Sequence, residues 1–128
     1  MSVIISGSLA FDTVFEHHGC FSDTLHSDAI RHLNLTFQAD AMRRTLGGCA
    51  GNIAYSLKQL GGTPLIWTAV GSDAPPFFEH FQTHDIATEG IVTVSEAWTA
   101  QCVITTDCLG NQLTTFHPGA MAKADTIP

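Results

Sequence analysis

The stretch Gly47-Gly48-Cys49-Ala50-Gly51-Asn52 sets polar chemistry beside missing side chains. Glycine inside a helix costs about 1 kcal/mol against alanine, so three of them ahead of an apolar-periodic segment need a backbone reason. One such reason is a set of bare amides at a helix start, which a guest can approach closely. Asn52 adds a carboxamide that both donates and accepts, which suits a hydroxyl. Asp12 follows a Gly7-Ser8 strand end and offers a carboxylate that can accept from two hydroxyls. Taken by itself, the same residue reads more simply as a turn or capping aspartate. His80 and His84 stand one helical turn apart on a solvent-facing side with no third ligand nearby, so no metal is expected. Cys49 has no His or Asp partner that would make it a nucleophile. Cys20, Cys49, Cys102 and Cys108 show neither a C-x-x-C pair nor metal-ligand spacing, and read as free thiols in a reducing cytoplasm.

The elements that must position these residues follow from pattern. Ser2–Ser8 is a short β-branched run of the kind buried on both faces of a parallel sheet. "FDTVFEHHG" alternates weakly. "HLNLTFQAD" alternates clearly, with Leu33, Leu35 and Phe37 on one side, and predicts a strand with one wet face. A helix is expected over about residues 50–60, with Ile53, Ala54, Leu57 and Leu60 in its stripe and Gly61-Gly62 as its stop. "PLIWTAVG" gives a second apolar strand. A second helix follows, with Asp73 as its cap, Pro76 in its first turn and Phe77 and Phe81 facing inward. "GIVTV" is a third strand. "TAQCVITTD" and "NQLTTFHPG" pair through a turn at Gly110.

Strand, helix, strand, helix, strand spells an α/β layer with a parallel sheet, and the hairpin-like excursions form a separate antiparallel flap. Three apolar parallel strands with two helices cannot cover both faces, so one face or edge should lie bare. That surface pairs with another chain, or the chain is part of a longer protein. The 128 residues are one compact unit by size, 45% apolar and only 13% charged. Five basic residues against twelve acidic ones give a net charge of −7, without the basic stripe a nucleic acid needs. No apolar run approaches the roughly 20 residues that span a bilayer, and the N-terminus reads as a strand rather than a signal peptide.

The spacing Gly47-Gly48-Cys49-Ala50-Gly51-Asn52-Ile53-Ala54, then Gly61 and Gly71, resembles the first signature of the PfkB (ribokinase-like) carbohydrate kinases. "SGSLAFDTV" looks like that family's first strand, and "TAQCVITTDCLGNQLTTFHPGAM" like its second lid hairpin. "HGCFSDTL", "LNLTF", "TTD" and "FHPGAM" are similar to bacterial adenosine kinases. The resemblance implies the N-terminal part of a three-layer ribokinase-like fold, with core 1–11 and 41–97 and β lid 12–40 and 98–118. It implies an ATP- and Mg²⁺-dependent kinase acting on a nucleoside 5′-hydroxyl, cytoplasmic and dimeric through the lid. A ribokinase- or fructokinase-like sugar kinase is the alternative within enzymes; a truncated, non-catalytic dimerising module is the alternative outside them.

By the same resemblance Asp12 grips two ribose hydroxyls, Gly48 lets the sugar approach the backbone, Asn52 contacts a hydroxyl, and Ser8 stands nearby. Phe116 matches a lid aromatic that stacks on the base, while the family aromatic at Cys102 is replaced by a thiol with far less stacking area. Nothing resembles the family's G-A-G-D run, which carries the catalytic base, nor its ATP-binding region. These 128 residues alone are therefore expected to be inactive.

Overall fold

The computed structural model describes residues 2–25 and 33–126. Along them run β1 (Ser2–Ser6), β2 (Ala10–Glu16), β3 (Ala41–Gly47), α1 (Cys49–Gln59), β4 (Thr63–Gly71), α2 (Pro75–Thr83), β5 (Ile91–Val94), β6 (Ala100–Thr106) and β7 (Gln112–His117). Short 3-10 segments lie at Phe21–Asp23 and Gly119–Thr126. β1, β4 and β5 form a parallel sheet in the order β1-β4-β5. β3, β2, β6 and β7 form a second sheet in that order, antiparallel except for the parallel pair β2–β6.

The core lies between one face of the parallel sheet and the two helices. Ile5, Ile66 and Val70 project onto Ala50 and Ala54 of α1 and onto Phe77 and Phe81 of α2, all buried. Alanine on the inner stripe of α1 lets its backbone sit close to the sheet. Its end is fixed by glycine: Gly61 takes φ 81°, its N–H donates to Lys58 O at 2.9 Å, and Gly62 N–H donates to Leu57 O at 2.9 Å. That is a Schellman closure, as the Gly-Gly pair predicts. α2 begins on Pro75 and Pro76, whose missing N–H groups cost nothing in a first turn. Phe11 of β2 fastens the second sheet to the core, its ring 4.9 Å from Phe77 and capped by the Arg44 guanidinium at 4.0 Å.

Four expectations are corrected. Residues 33–40 form no strand, and His32, the start of the proposed run, lies outside the described residues. Phe37 packs on Phe21 and His17 at 4.9 and 5.4 Å, and pairing with β2 begins only at Ala41. Residues 41–47 therefore pair with β2 in the second sheet. Asp73 does not cap α2, whose cap position is Ala74; its carboxylate accepts from Thr99 N–H at 2.7 Å and Gln101 Nε2 at 3.3 Å. Cys20 and Cys108 are not free thiols. The turn after β6 meets the loop after β2, with Cα atoms 5.3 Å apart, and the two form a disulfide. Finally, His80 and His84 do not face open solvent; both are half-buried and pack against Tyr55.

The bare face is present. Strand alternation puts Ile4, Leu65, Trp67, Val92 and Val94 on the side of the parallel sheet away from α1 and α2. Ile4 is 64% exposed and Trp67 37%.

Candidate functional site

The pairing of the second sheet brings three predicted residues into one row. Asp12 lies opposite Cys102, Cys102 lies opposite Phe116, and Thr45 lies on the other side of Asp12. Residues directly paired across neighbouring strands share a face. Phe116 presents a ring 48% exposed at one end of this row, and Asp12 is half-buried near the other. Burial raises the Asp12 carboxyl above its ordinary value. Burial likewise raises the Cys102 thiol, and the neighbouring Asp12 charge raises it further, so Cys102 stays neutral. The row thus offers an acid at one end, an aromatic face at the other, and a small side chain between.

Both glycines fit closely against the chain itself. A Cβ on Gly47 would lie 2.0 Å from Asp12 Oδ2, so Gly47 makes the space that the carboxylate occupies. Gly48 has φ 92°, and a Cβ there would meet Ser8 O at 2.4 Å and Leu9 Cα at 2.8 Å. On the side where a Cβ would stand, Gly48 packs closely against the segment that links β1 to β2. Nor are the first amides of α1 bare. Cys49 N–H donates to Ser8 Oγ at 3.2 Å, and Ala50 N–H donates to Ser8 O at 3.0 Å. Ser8 acts as a cap supplied from outside the helix. Its hydroxyl also lowers the Cys49 thiol, lying 3.5 Å from Sγ, against an opposing effect of burial.

Asn52 is exposed and opens onto a shallow trough with Ile53, Ser56, Leu57 and Leu60. Asp12 is not among the walls of that trough. The structure thus groups Asp12, Cys102 and Phe116, sets Ser8 and Gly48 together at the head of α1, and leaves Asn52 on the outer surface. A hollow of about 580 Å³ between Lys58, Thr63, Phe78 and Asp85 lies at the opposite end, where the parallel strands begin. Ligands of parallel sheets collect beyond the strands' C-terminal ends, which is the Ser8 and Asp12 side. Sequence reasoning missed Thr45 and the true role of Gly47, because both depend on the β2–β3 register. It also missed Asp107, whose signal was present as an aspartate four residues before Asn111 in a glycine turn.

The pfkB family carbohydrate kinase profile matches residues 21–128. A nucleoside kinase of Burkholderia thailandensis, solved in complex with inosine, is 36% identical with a TM-score of 0.83, over 99% of this chain and 39% of that one. A nucleoside kinase of Methanocaldococcus jannaschii, described as an archaeal member of the ribokinase family, is 26% identical with a TM-score of 0.78, over 93% and 37%. A ribokinase of Cryptococcus neoformans in complex with ADP shares the fold at 20% identity and a TM-score of 0.75. The chain spans about two fifths of the length of the first two structures.

Proposed function

The chain belongs to the PfkB family of carbohydrate kinases, and from that premise we propose that it is the substrate-binding part of an ATP-dependent nucleoside kinase that converts adenosine to AMP. The observation that carries this reading is the row Asp12–Cys102–Phe116 on one face of the lid sheet. An acid that accepts from two vicinal hydroxyls and a ring that covers a base match the two ends of a nucleoside. A buried acceptor also rejects analogues that lack its hydroxyl, because it would be left unpaired. Similarity to a kinase solved with inosine supports a purine nucleoside.

In this reading Asp12 orients the ribose and Phe116 stacks on the base, which aims the 5′-hydroxyl away from the lid. Closing the lid excludes water from the reacting end. Ser8, Gly48 and Asn52 act at the head of α1 as supporting contacts. ATP and Mg²⁺ supply the phosphoryl group and its charge neutralisation, held by residues outside this chain. No residue here takes the hydroxyl proton, so the isolated chain turns over no adenosine.

Cytoplasmic location and a homodimer through the lid belong to the same proposal. Among the described residues no helix is long and apolar enough to cross a membrane. Met42 and Leu113 line up across the lid face away from Asp12 and are exposed, which suits self-association. Calorimetric titration of the intact protein with adenosine, inosine, ribose and fructose tests the substrate. Adenosine binding that disappears with 2′-deoxyadenosine supports the reading; preference for a free sugar replaces it with the sugar-kinase alternative, which the small Cys102 favours.

A further inference from the structure

β2 and β6 are the two central strands of the lid sheet, and they run parallel from Ala10 against Ala100 to Glu16 against Thr106. No short turn joins strands in this relation, so their mutual position depends on the ladder and on whatever ties their far ends. Those ends are tied closely. His17 N–H donates to Thr106 O at 2.9 Å, Cys108 N–H donates to Gly19 O at 3.0 Å, and Phe21 N–H donates to Asp107 Oδ2 at 3.0 Å. Across the same junction runs the Cys20–Cys108 disulfide, joining residues 88 apart in sequence. The other halves of these two strands carry Asp12 and Cys102. Cys108 is an exposed residue on the turn, whereas Cys20 is half-buried, so attack is assigned to the Cys108 side.

We propose that Cys20–Cys108 is a redox-sensitive clasp on the lid, which holds β2 against β6 when oxidised and loosens the Asp12 row when reduced. The co-reactant is a dithiol. Its thiolate attacks Cys108 Sγ, forms a mixed disulfide and expels Cys20 as a thiolate, which takes up a proton. The second thiol of the reductant, on losing its proton, attacks the reductant's own sulfur in that mixed disulfide. Cys108 leaves as a thiolate and is protonated in turn. Two electrons pass from the dithiol, which becomes a disulfide, to the protein, which gains two thiols. Asp107 keeps its bonds to Phe21, Leu109 and Asn111 after the sulfur bond is cut, so reduction loosens the junction without unfolding it.

The effect on ligand rests on the nucleoside reading above; the clasp itself does not. The intact protein is oxidised with oxidised glutathione or reduced with dithiothreitol, then alkylated, and labelling at Cys20 and Cys108 is read by peptide mass spectrometry. Amide exchange at His17 and Cys108, whose bonds bridge the two strand ends, is followed in both states, together with adenosine affinity. Both cysteines should be protected only after oxidation, and reduction should speed those amides roughly tenfold and weaken adenosine several-fold. A Cys20→Ser variant should behave as reduced in either buffer. Labelling of both cysteines after oxidation, or exchange rates indifferent to reduction, overturns the clasp. Faster exchange with unchanged adenosine affinity overturns its effect on the site. Failure to bind adenosine in both states instead overturns the nucleoside reading, and the clasp then stands or falls on labelling and exchange.

Discussion

At the scale of single residues, the proposed lid site depends on one carboxylate and on the space made for it. Replacing Asp12 with Asn keeps the shape but removes the charge that two hydroxyls would share. Charge-assisted hydrogen bonds contribute about 1.5–3 kcal/mol, so adenosine affinity in the intact protein should fall roughly 10- to 100-fold, as calorimetry would register. Unchanged affinity would mean that the Asp12 carboxylate does not hold the ligand. Since burial raises the Asp12 carboxyl, and the ionised form is the better acceptor, wild-type affinity should also weaken as pH falls through that raised value. In the D12N variant this dependence should vanish. Gly47→Ala is the companion test. Its methyl would claim the position of Asp12 Oδ2, so affinity should fall through displacement of that carboxylate. Asp12, Cys102 and Phe116 were picked out by a family resemblance, and strand pairing sets them in one row. The partner that makes room for Asp12 was not legible, since it is 35 positions away in sequence and becomes a neighbour only through strand pairing.

At the scale of elements, local chemistry was most legible where the backbone needs a particular residue. The end of α1 was readable because Gly61 at φ 81° is one of few residues that accept that conformation. A Cβ at Gly61 meets nothing within 4 Å, so Gly61→Ala carries only the conformational penalty. It should cost about 1 kcal/mol in a denaturant titration, and no measurable loss would show that the helix end is remodelled instead. The false strand at residues 33–40 fails for the opposite reason. Alternation signals one covered side without saying what covers it; here aromatic packing of Phe37 on Phe21 serves as well as a ladder. The β6–β7 turn carries a pH signature. Burial would raise the Asp107 carboxyl, but hydrogen bonds from the Asn111 side chain and from the amides of Phe21, Asn111 and Leu109 outweigh it and hold it at about 2, against 3.8 when free. The ionised form therefore favours the folded state above pH 3.8, and this contribution is lost as pH falls through about 2. An Asp107→Asn variant should lose that segment of the acid-stability curve, and parallel curves for the two proteins would contradict the assignment.

For the whole molecule, the consequence of seven strands and two helices is a sheet face that stays exposed at Ile4, Trp67 and Val92, while Ala69 on the same side is buried. Both helices pack on one side of the parallel sheet, and Ile4, Trp67 and Val92 stand on the other. Burying apolar area is worth roughly 25 cal/mol per Å², so such a face favours any complementary apolar surface. The lid offers a second candidate in Met42 and Leu113. The two make different demands on charge placed within them. If the lid forms the dimer, Leu113→Lys should return the intact protein to monomer mass by light scattering, while Val92→Lys leaves its mass unchanged. If only the 128-residue chain associates, and Val92→Lys rather than Leu113→Lys disperses it, the uncovered sheet is the adhesive surface and the lid dimer is wrong. The same preparation decides activity, because a lid and a sheet without a base should yield no AMP from adenosine and Mg-ATP. AMP formed at an ordinary kinase rate, about 1–100 per second, would require a proton acceptor within this chain and would overturn the division of labour proposed for it.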